Sequence, residues 1–153
     1  MNHLLVFFLL AISVSLSLGY DVSHFYICST DYVKKERNFL CQVSKFNMNV
    51  PLPSQGDEFF NCCMETSEWM NRSNKALLVD RLAKDMKKYG FDNRNSAIEK
   101  VGSDCRREMG SKINGRGYLL CFLTDKRTSN GFKNMLKKKE GEFFTKQTYC
   151  KSG

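Results

Sequence analysis

The stretch FFNCCMETSEWM, residues 59–70, decides the fold, because it sets two adjacent cysteines among large apolar side chains. Its apolar residues recur near the 3.6-residue period of an α-helix. Upstream, Ser54 predicts an N-cap, and two carboxylates follow in the first turn, where they suit the helix dipole. Neighbouring side chains on a helix point about 100° apart, so only one of Cys62 and Cys63 can face a given partner cysteine. We therefore expect a core helix anchored by a disulfide.

The beginning of the chain has the pattern of a secretory signal. An apolar run from Leu4 to Leu18 is followed by the small-x-small sequence SLG, residues 17–19. We expect cleavage after Gly19, which leaves one secreted domain, residues 20–153, with the whole net charge of +8. The apolar run is short for a membrane span, and no later segment is apolar enough to be one. We therefore expect no membrane partner.

Seven cysteines are present in all. Secretion would place them in an oxidising compartment, where pairing is the default. Because seven is odd, we expect three disulfides and one remaining thiol, which is either buried or links two chains. Their positions are Cys28, Cys41, Cys62, Cys63, Cys105, Cys121 and Cys150.

Helical periodicity continues on both sides of the opening stretch. Residues 31–46 predict one helix with an apolar face, and Pro51 and Pro53 then force an extended connection. After that stretch, Ser73 predicts the N-terminus of a further helix, and Gly90 fits the left-handed residue that ends it. The first half of the chain therefore predicts three helices.

The second half of the chain is also helical in pattern. Ser96 opens a capping box, and the chain breaks at residues 114–117. We interpret residues 118–123 as a helix from their context, and Thr128 or the next residue caps another. The aromatic C-terminal segment ends near Cys150, and we expect it to pack against the rest of the domain. Strand-type alternation is scarce, so we predict an all-α, disulfide-stapled bundle of about six or more helices.

Residues for catalysis are scarce. Beyond the signal, the chain has one histidine, His24, which we interpret as a solvent-exposed side chain. The motifs of zinc sites, metalloproteases, serine hydrolases and nucleotide-binding loops are absent. We therefore expect a protein that is not an enzyme and that has no cofactor and no metal.

Basic residues from three helical segments would form an anion-binding face if the fold brings them together. The alternative is a solvated surface that keeps the protein soluble. No nucleic-acid-binding motif accompanies them, so we expect no specific nucleic acid partner. The residues are Lys84, Lys87, Lys88, Arg106, Arg107, Lys137, Lys138 and Lys139.

Abundant aromatic side chains leave two interpretations open. Helices held by disulfides and lined by phenylalanine, tyrosine and methionine can enclose a cavity for a small amphipathic ligand. Aromatic residues at helical spacing can equally form a solid core.

The order and spacing of the cysteines carry a resemblance. Twelve residues separate Cys28 from Cys41, and twenty separate Cys41 from Cys62. Later, YLLC at residues 118–121 precedes the capped segment NGFK at 130–133. Over nearly the whole mature chain this resembles the short-form D-seven salivary proteins of blood-feeding flies, a branch of the insect odorant-binding superfamily. The usual odorant-binding pattern would require a cysteine where Lys45 stands, which favours the salivary branch over carriage of an odorant or pheromone.

The resemblance implies an odorant-binding-like helical fold and a definite disulfide pairing. The implied pairs are Cys28–Cys62, Cys41–Cys150 and Cys105–Cys121, with Cys63 left unpaired. We expect a monomer. The sequon at Asn71 is either glycosylated or an unmodified part of a helix cap.

The resemblance also implies the sequestration of small host mediators, either biogenic amines or eicosanoids such as leukotrienes, against haemostasis and inflammation. Amine-binding relatives carry acidic side chains in a late helix. Glu140 matches one of those positions, but Lys137 stands at the other, so an eicosanoid suits this chain better on charge alone. Our hypothesis is a pocket lined by Phe59, Phe60, Trp69, Tyr118, Phe132, Leu136 and Glu140.

A second branch of the superfamily offers an alternative. LLVDRL at residues 77–82 and DCRR at 104–107 resemble small basic salivary proteins of sand flies. That resemblance implies binding of extracellular polyanions through the basic residues above, and inhibition of the contact pathway of coagulation.

Overall fold

The computed structural model describes residues 22–91 and 95–151. Within them the chain is helical and has no strand, which confirms the all-α prediction; Met70 and Leu77 form an isolated bridge. The predicted signal peptide lies outside the described residues. The helices are α1 His24–Tyr32, α2 Arg37–Ser44, α3 Gly56–Thr66, α4 Val79–Lys88, α5 Asn95–Met109, α6 Gly115–Thr124, α7 Ser129–Lys139 and α8 Gly141–Phe144, with a 3-10 turn at Gly110–Lys112.

The central helix is α3, whose inward face buries Phe59, Phe60 and Cys63 completely. The predicted N-cap at Ser54 is wrong, because the amide of Gly56 closes a turn onto the carbonyl of Pro53 and the helix begins only at Gly56. The helix also ends before the tryptophan of the opening stretch. Trp69 is nonetheless buried, because the chain turns back onto α3 and the amide of Trp69 donates a hydrogen bond to the carbonyl of Met64.

The helix predicted over residues 31–46 is wrong as a single element. The range contains only the last two residues of α1, then a turn in which the amide of Glu36 donates to the carbonyl of Val33, and then α2. Most of α1, from His24 onward, precedes the predicted range. The apolar face is still buried, with Leu40 and Val43 fully inaccessible. Apolar spacing therefore predicted the buried face correctly but did not detect the break.

The helix predicted after Ser73 begins later, at Val79. Its expected first turn is a loop, because the side-chain oxygen of Asn71 accepts hydrogen bonds from the amides of Ser73 and Asn74. A short polar side chain that satisfies nearby amides competes with helix formation. The predicted end is correct, since Gly90 follows α4 with φ +91°.

Three disulfides hold the helices together. Cys28–Cys62 joins α1 to α3, Cys105–Cys121 joins α5 to α6, and Cys41–Cys150 ties the C-terminal segment to α2. These are the pairs that the resemblance implies. The Cys41–Cys150 bridge spans 109 positions of sequence, and a cross-link over so long a loop strongly restricts the unfolded chain.

An aromatic core lies between the helices. The ring of Phe25 in α1 contacts those of Phe59, Phe143 and Phe144, at centroid distances of 6.3, 5.6 and 5.0 Å. Phe132 in α7 joins a second group of rings on the other side of the core. The core thus brings the N-terminus of α1 against the junction of α7 and α8, where the candidate site lies.

Candidate functional site

The most unusual polar group in the described interior is the carboxylate of Glu140, between α7 and α8, which is completely buried. Its Oε2 atom accepts hydrogen bonds from the Ser23 hydroxyl at 2.8 Å and from the Phe25 amide at 3.1 Å. Both donors lie at the N-terminus of α1. Amides exposed there and the positive end of the helix dipole favour a negative group, so the fold orients this carboxylate firmly.

The other oxygen of Glu140, Oε1, has no hydrogen-bond partner among the described residues. The ring of His24 lies beside this oxygen, with Nδ1 at 3.5 Å and the side chain 30% exposed. A buried acceptor left without a donor costs about 1–3 kcal/mol, and more when it is charged. The site therefore presents an acceptor that an incoming donor or cation would satisfy.

Beside this carboxylate lies the free thiol of Cys63. It is fully buried, which leaves no path to a cysteine of a second chain. Burial, assisted by the negative charge of Glu140, raises the pKa of Cys63 well above its ordinary value. The thiol stays protonated at neutral pH, where it is a poor nucleophile.

His24 also lines a polar cleft of about 360 Å³ at the surface. Lys139 also lines this cleft, with Nζ 3.6 Å from a carboxylate oxygen of Asp85. The same oxygen accepts a hydrogen bond of 2.8 Å from the indole of Trp69. The His24 ring therefore lies between this cleft and the buried carboxylate of Glu140.

The residues proposed to line a ligand pocket are all in the interior. Phe59, Phe60, Trp69, Tyr118, Phe132, Leu136 and Glu140 are each at most 1% exposed. Trp69 packs against Phe132 at a centroid distance of 5.9 Å, and the Tyr118 hydroxyl donates to the carbonyl of Lys75. None of them lines the polar cleft at His24 or the larger surface cleft near the C-terminal segment. Their role as a lining stays a prediction, and it requires the core to open.

The structure does not bring all eight predicted basic residues together, and Lys87 and Lys88 are exposed on α4 without lining either of the larger clefts. Lys137, Lys138 and Lys139 line a cleft of about 720 Å³, and Lys84 lines the neighbouring polar cleft with Lys139. Arg107 instead pairs with Asp104 at 2.9 Å. Arg106 lies near Tyr118, where its charge partly offsets the burial that raises the pKa of that tyrosine. The last three lysines of α7 therefore share a concave surface.

Sequence reasoning missed Ser23, His24 and Phe25 as partners of the buried carboxylate. Ser23 is also the N-cap of α1, since its hydroxyl accepts a bond from the amide of Tyr26. A serine before an apolar periodic segment is an available signal for such a cap. Nothing local, however, connects Ser23 with a residue 117 positions away.

The sequon asparagine, Asn71, lies in an irregular loop before α4. Its Oδ1 accepts bonds from the amide and the hydroxyl of Ser73, at 2.9 and 2.7 Å. The side chain of Arg72 between them is exposed. Glycosylation at this position stays a prediction.

Among the described residues, no set of three or more histidine, cysteine or acidic side chains is placed to bind a metal ion. Over the same ranges, no helix combines the length and the apolar character that a membrane crossing needs.

Comparison with known proteins gives two relatives and no matching family model. The chain is 34% identical over 146 residues to "Short form salivary protein D7S1" of Aedes aegypti, covering 95% of this chain and 97% of that protein. It is 29% identical over 116 residues to "Neutrophil recruitment protein" of the same organism, covering 76% of this chain and 73% of that protein.

Proposed function

The chain belongs to the short-form D-seven family of secreted salivary proteins, and we propose that it sequesters a small amphipathic host mediator that carries an amine, with Glu140 as the counter-ion. The observation that carries the proposal is that Oε1 of that buried carboxylate accepts no hydrogen bond from any described residue. An ammonium group that enters a low-dielectric interior must be paired with an opposite charge. A carboxylate already oriented by two donors needs little reorganisation to provide that charge.

The surroundings of Glu140 suit the apolar part of such a mediator. Phe25 donates its amide to the carboxylate, and its ring lies 5.6 Å from that of Phe143. Aromatic faces attract cations and stack with the rings of aromatic amines. Binding requires the interior to open, and we place the opening at Ser23 and His24, which separate the carboxylate from the two clefts.

Lys137 was the reason to favour an eicosanoid, because it stands where amine-binding relatives carry a second acid. Its ammonium group lies over the ring of Phe46, 5.8 Å from the centroid, and makes no ion pair with Glu140. The carboxylate of an eicosanoid would be repelled by the buried charge of Glu140. The geometry therefore favours an amine.

The function that follows is the removal of a signalling amine from the site of a bite, which opposes haemostasis and inflammation. Membership of a salivary family favours this over carriage of an odorant or pheromone. No chemical step is part of the proposal, because the buried carboxylate acts only as a counter-ion.

The test is isothermal calorimetry of the secreted protein against serotonin, histamine, norepinephrine and a cysteinyl leukotriene. We expect one amine to bind stoichiometrically with a Kd of about 1 µM or tighter, which corresponds to about 8 kcal/mol. Glu140→Gln should weaken it by about 100-fold or more, since losing one partner of a buried ion pair costs about 3–5 kcal/mol. Glu142→Gln is the matched control, because Glu142 is an exposed acid two residues away.

Failure of every amine to bind would contradict the proposal, and so would equal amine affinity in Glu140→Gln and the wild type. Leukotriene binding that does not depend on Glu140 would instead assign an eicosanoid to a different site.

A further inference from the structure

A cleft of about 720 Å³ lies between the N-terminus of α1, the end of α7 and the C-terminal segment. We call it the lysine cleft, because four lysines line it, Lys137, Lys138, Lys139 and Lys146. The first three of these already contact, in that order, the ring of Phe46, the carbonyl of Tyr89 and the carboxylate of Asp85. Only the ammonium group of Lys146 has no such contact with a described residue, so the cleft offers one available cation.

Two tyrosines and a carboxylate form a cluster in the same cleft, which Tyr26, Tyr149 and Glu142 all line. Tyr26 is 43% exposed, and Tyr149 is half-buried. Burial raises the pKa of Tyr149 above its ordinary value, a hydrogen bond with Ser29 offsets part of that rise, and the nearby Tyr26 and Glu142 add to it. Because such electrostatic effects fall off with distance, the two phenols and the carboxylate lie close together.

This cluster suits a cation, and a quaternary ammonium group in particular. Aromatic faces attract cations, and choline-like groups are the established example. The carboxylate of Glu142 adds a negative charge and has no ion pair with a described residue. A primary ammonium would also need acceptors for three N–H groups, but the amide oxygen of Gln147 in this cleft already accepts a bond of 2.6 Å from the Tyr149 amide.

The lysine cleft therefore combines a cluster that attracts a cation with one ammonium group that is available to an anion. A ligand with charge of one sign only would be repelled by one of the two. A zwitterion satisfies both, and the hydroxyl of Thr148, which also lines the cleft, can donate to an anionic oxygen. Phosphocholine is such a zwitterion, since a short ethylene link joins its quaternary ammonium group to its phosphate.

Exposed apolar surface lies next to the cluster. The large apolar side chains of the described residues that are most exposed are Val22, Tyr26 and Ile27, at 57, 43 and 42%. Tyr26 lines the cleft, while Val22 and Ile27 occupy the N′ and N4 positions of α1, whose side chains often pack together. So small a surface suits one aliphatic chain, whereas a helix that lies on a bilayer presents a long apolar face.

The C-terminal wall of the lysine cleft is held in place before any ligand binds. The disulfide Cys41–Cys150 ties it to α2, and the guanidinium of Arg37 donates to the carbonyl of Thr148 at 3.0 Å. The ring of Tyr149 packs against the aromatic core. A pre-formed wall lowers the cost of ordering a ligand.

We propose that the lysine cleft binds the phosphocholine head group of a single-chain lipid, with the quaternary ammonium group against the two tyrosines and the phosphate against Lys146. The aliphatic chain continues over Val22 and Ile27. This site is separate from the amine site, because Glu140 is fully buried whereas the cleft is open to the surface. It would give the protein a second class of ligand, a zwitterionic lipid.

The experiment is calorimetry of the secreted protein with dodecylphosphocholine and with three molecules that have the same chain and a different head group. These are dodecyl phosphate, dodecyltrimethylammonium and dodecyl maltoside, each below its critical micelle concentration. We expect dodecylphosphocholine to bind stoichiometrically and about tenfold or more tightly than each of the others, because it alone satisfies both charged parts of the cleft.

Two pairs of variants test the two contacts. Tyr26→Leu should weaken the binding of dodecylphosphocholine by about fivefold, whereas Tyr26→Phe should stay within about twofold of wild type because it keeps the aromatic face. Lys146→Gln should also weaken it by about fivefold. Lys126→Gln is the matched control and should stay within about twofold, since Lys126 is exposed and lines none of the three clefts described.

Equal affinity for dodecylphosphocholine and dodecyl maltoside would overturn the proposal, because the chain alone would then account for binding. Tighter binding of dodecyl phosphate would overturn it in favour of a simple anion site. Binding to phosphatidylcholine vesicles without binding to the monomer would do so in favour of a membrane surface. Circular dichroism checks that each variant is folded, and amine binding measured on the same preparations keeps this outcome independent of the proposed function.

Discussion

The interior around Glu140 and the lysine cleft outside it meet at Ser23 and at the end of α7. The interior contains a buried negative charge, whereas the cleft contains positive charges at the surface. The interior has one carboxylate, fully buried and oriented by two hydrogen bonds. The cleft has four lysines at the surface, three of which contact the ring of Phe46, the carbonyl of Tyr89 and the carboxylate of Asp85. A desolvated charge recognises its ligand by geometry and is little affected by salt, whereas solvated charges are screened by salt.

The largest effect that we expect is on the free energy of unfolding, and it distinguishes a closely packed interior from one with an open ligand pocket. Phe132→Ala should lower the free energy of unfolding by about 3–5 kcal/mol, because the ring is fully buried between Trp69 and Phe122. Lys138→Ala in the cleft should change it by at most about 0.5 kcal/mol. Urea denaturation measures both. A loss below about 1 kcal/mol for Phe132→Ala would mean that the ring faces an open cavity, as the sequence-based pocket hypothesis requires.

The second prediction concerns the disulfide that ties the C-terminal wall of the cleft. Removing it with Cys41→Ser/Cys150→Ser should cost about 2–5 kcal/mol of stability, since the bridge closes a long loop. The affinity for dodecylphosphocholine should fall as well, because the wall that carries Tyr149 and Lys146 is loosened.

Amine affinity, measured below the melting temperature, serves as the internal control and should change little. A variant that keeps wild-type affinity for dodecylphosphocholine would show that this wall does not shape the cleft.

The third prediction uses salt to compare the two sites in one protein. Raising sodium chloride from about 0.05 to 0.5 M should weaken the binding of phosphocholine without a chain by about fivefold, because salt screens charges at the surface. Amine binding at Glu140 should change by less than about threefold, since a buried pair is little screened. Calorimetry at each salt concentration measures both. If the two affinities fell in parallel, the amine would also be held at the surface.

The last prediction concerns Asn71, where only a small effect on stability is expected. Asn71→Gln should abolish glycosylation of protein secreted from insect cells. Mass spectrometry would then show that treatment with an N-glycosidase no longer lowers the mass of the protein. Stability should change by at most about 0.5–1 kcal/mol, because the lost bonds lie in an exposed loop. Asn74→Gln, which leaves the sequon intact, is the control. Wild-type protein without a glycan would refute the prediction.

Apolar spacing predicted most of the buried faces, but it predicted the ends of helices less well. Leu40 and Val43 are buried as expected, although residues 31–46 contain a break between the end of α1 and the start of α2. Likewise, Asn71 satisfies amides that a helix beginning after Ser73 would have needed. Spacing reports which side of a segment faces the core, whereas breaks depend on individual hydrogen bonds that competing side chains can take.

The candidate site was predictable only in part. Glu140 was singled out through the resemblance, but its donors were not, because they come from the opposite end of the chain. Lys146 was also missed, since a single lysine in a tail has no pattern of its own. Three-dimensional proximity between distant segments leaves no local trace in a single sequence.

The amino-acid sequence by itself determined the helical class, the odd number of cysteines and the excess of positive charge, because these follow from local spacing and composition. Only the tertiary structure decided that the first turn of α1 encloses the Glu140 carboxylate and that the C-terminal segment forms one wall of a lysine-lined cleft. The physical reason is that periodicity specifies which face of a helix is buried, while packing and disulfides specify what lies against it.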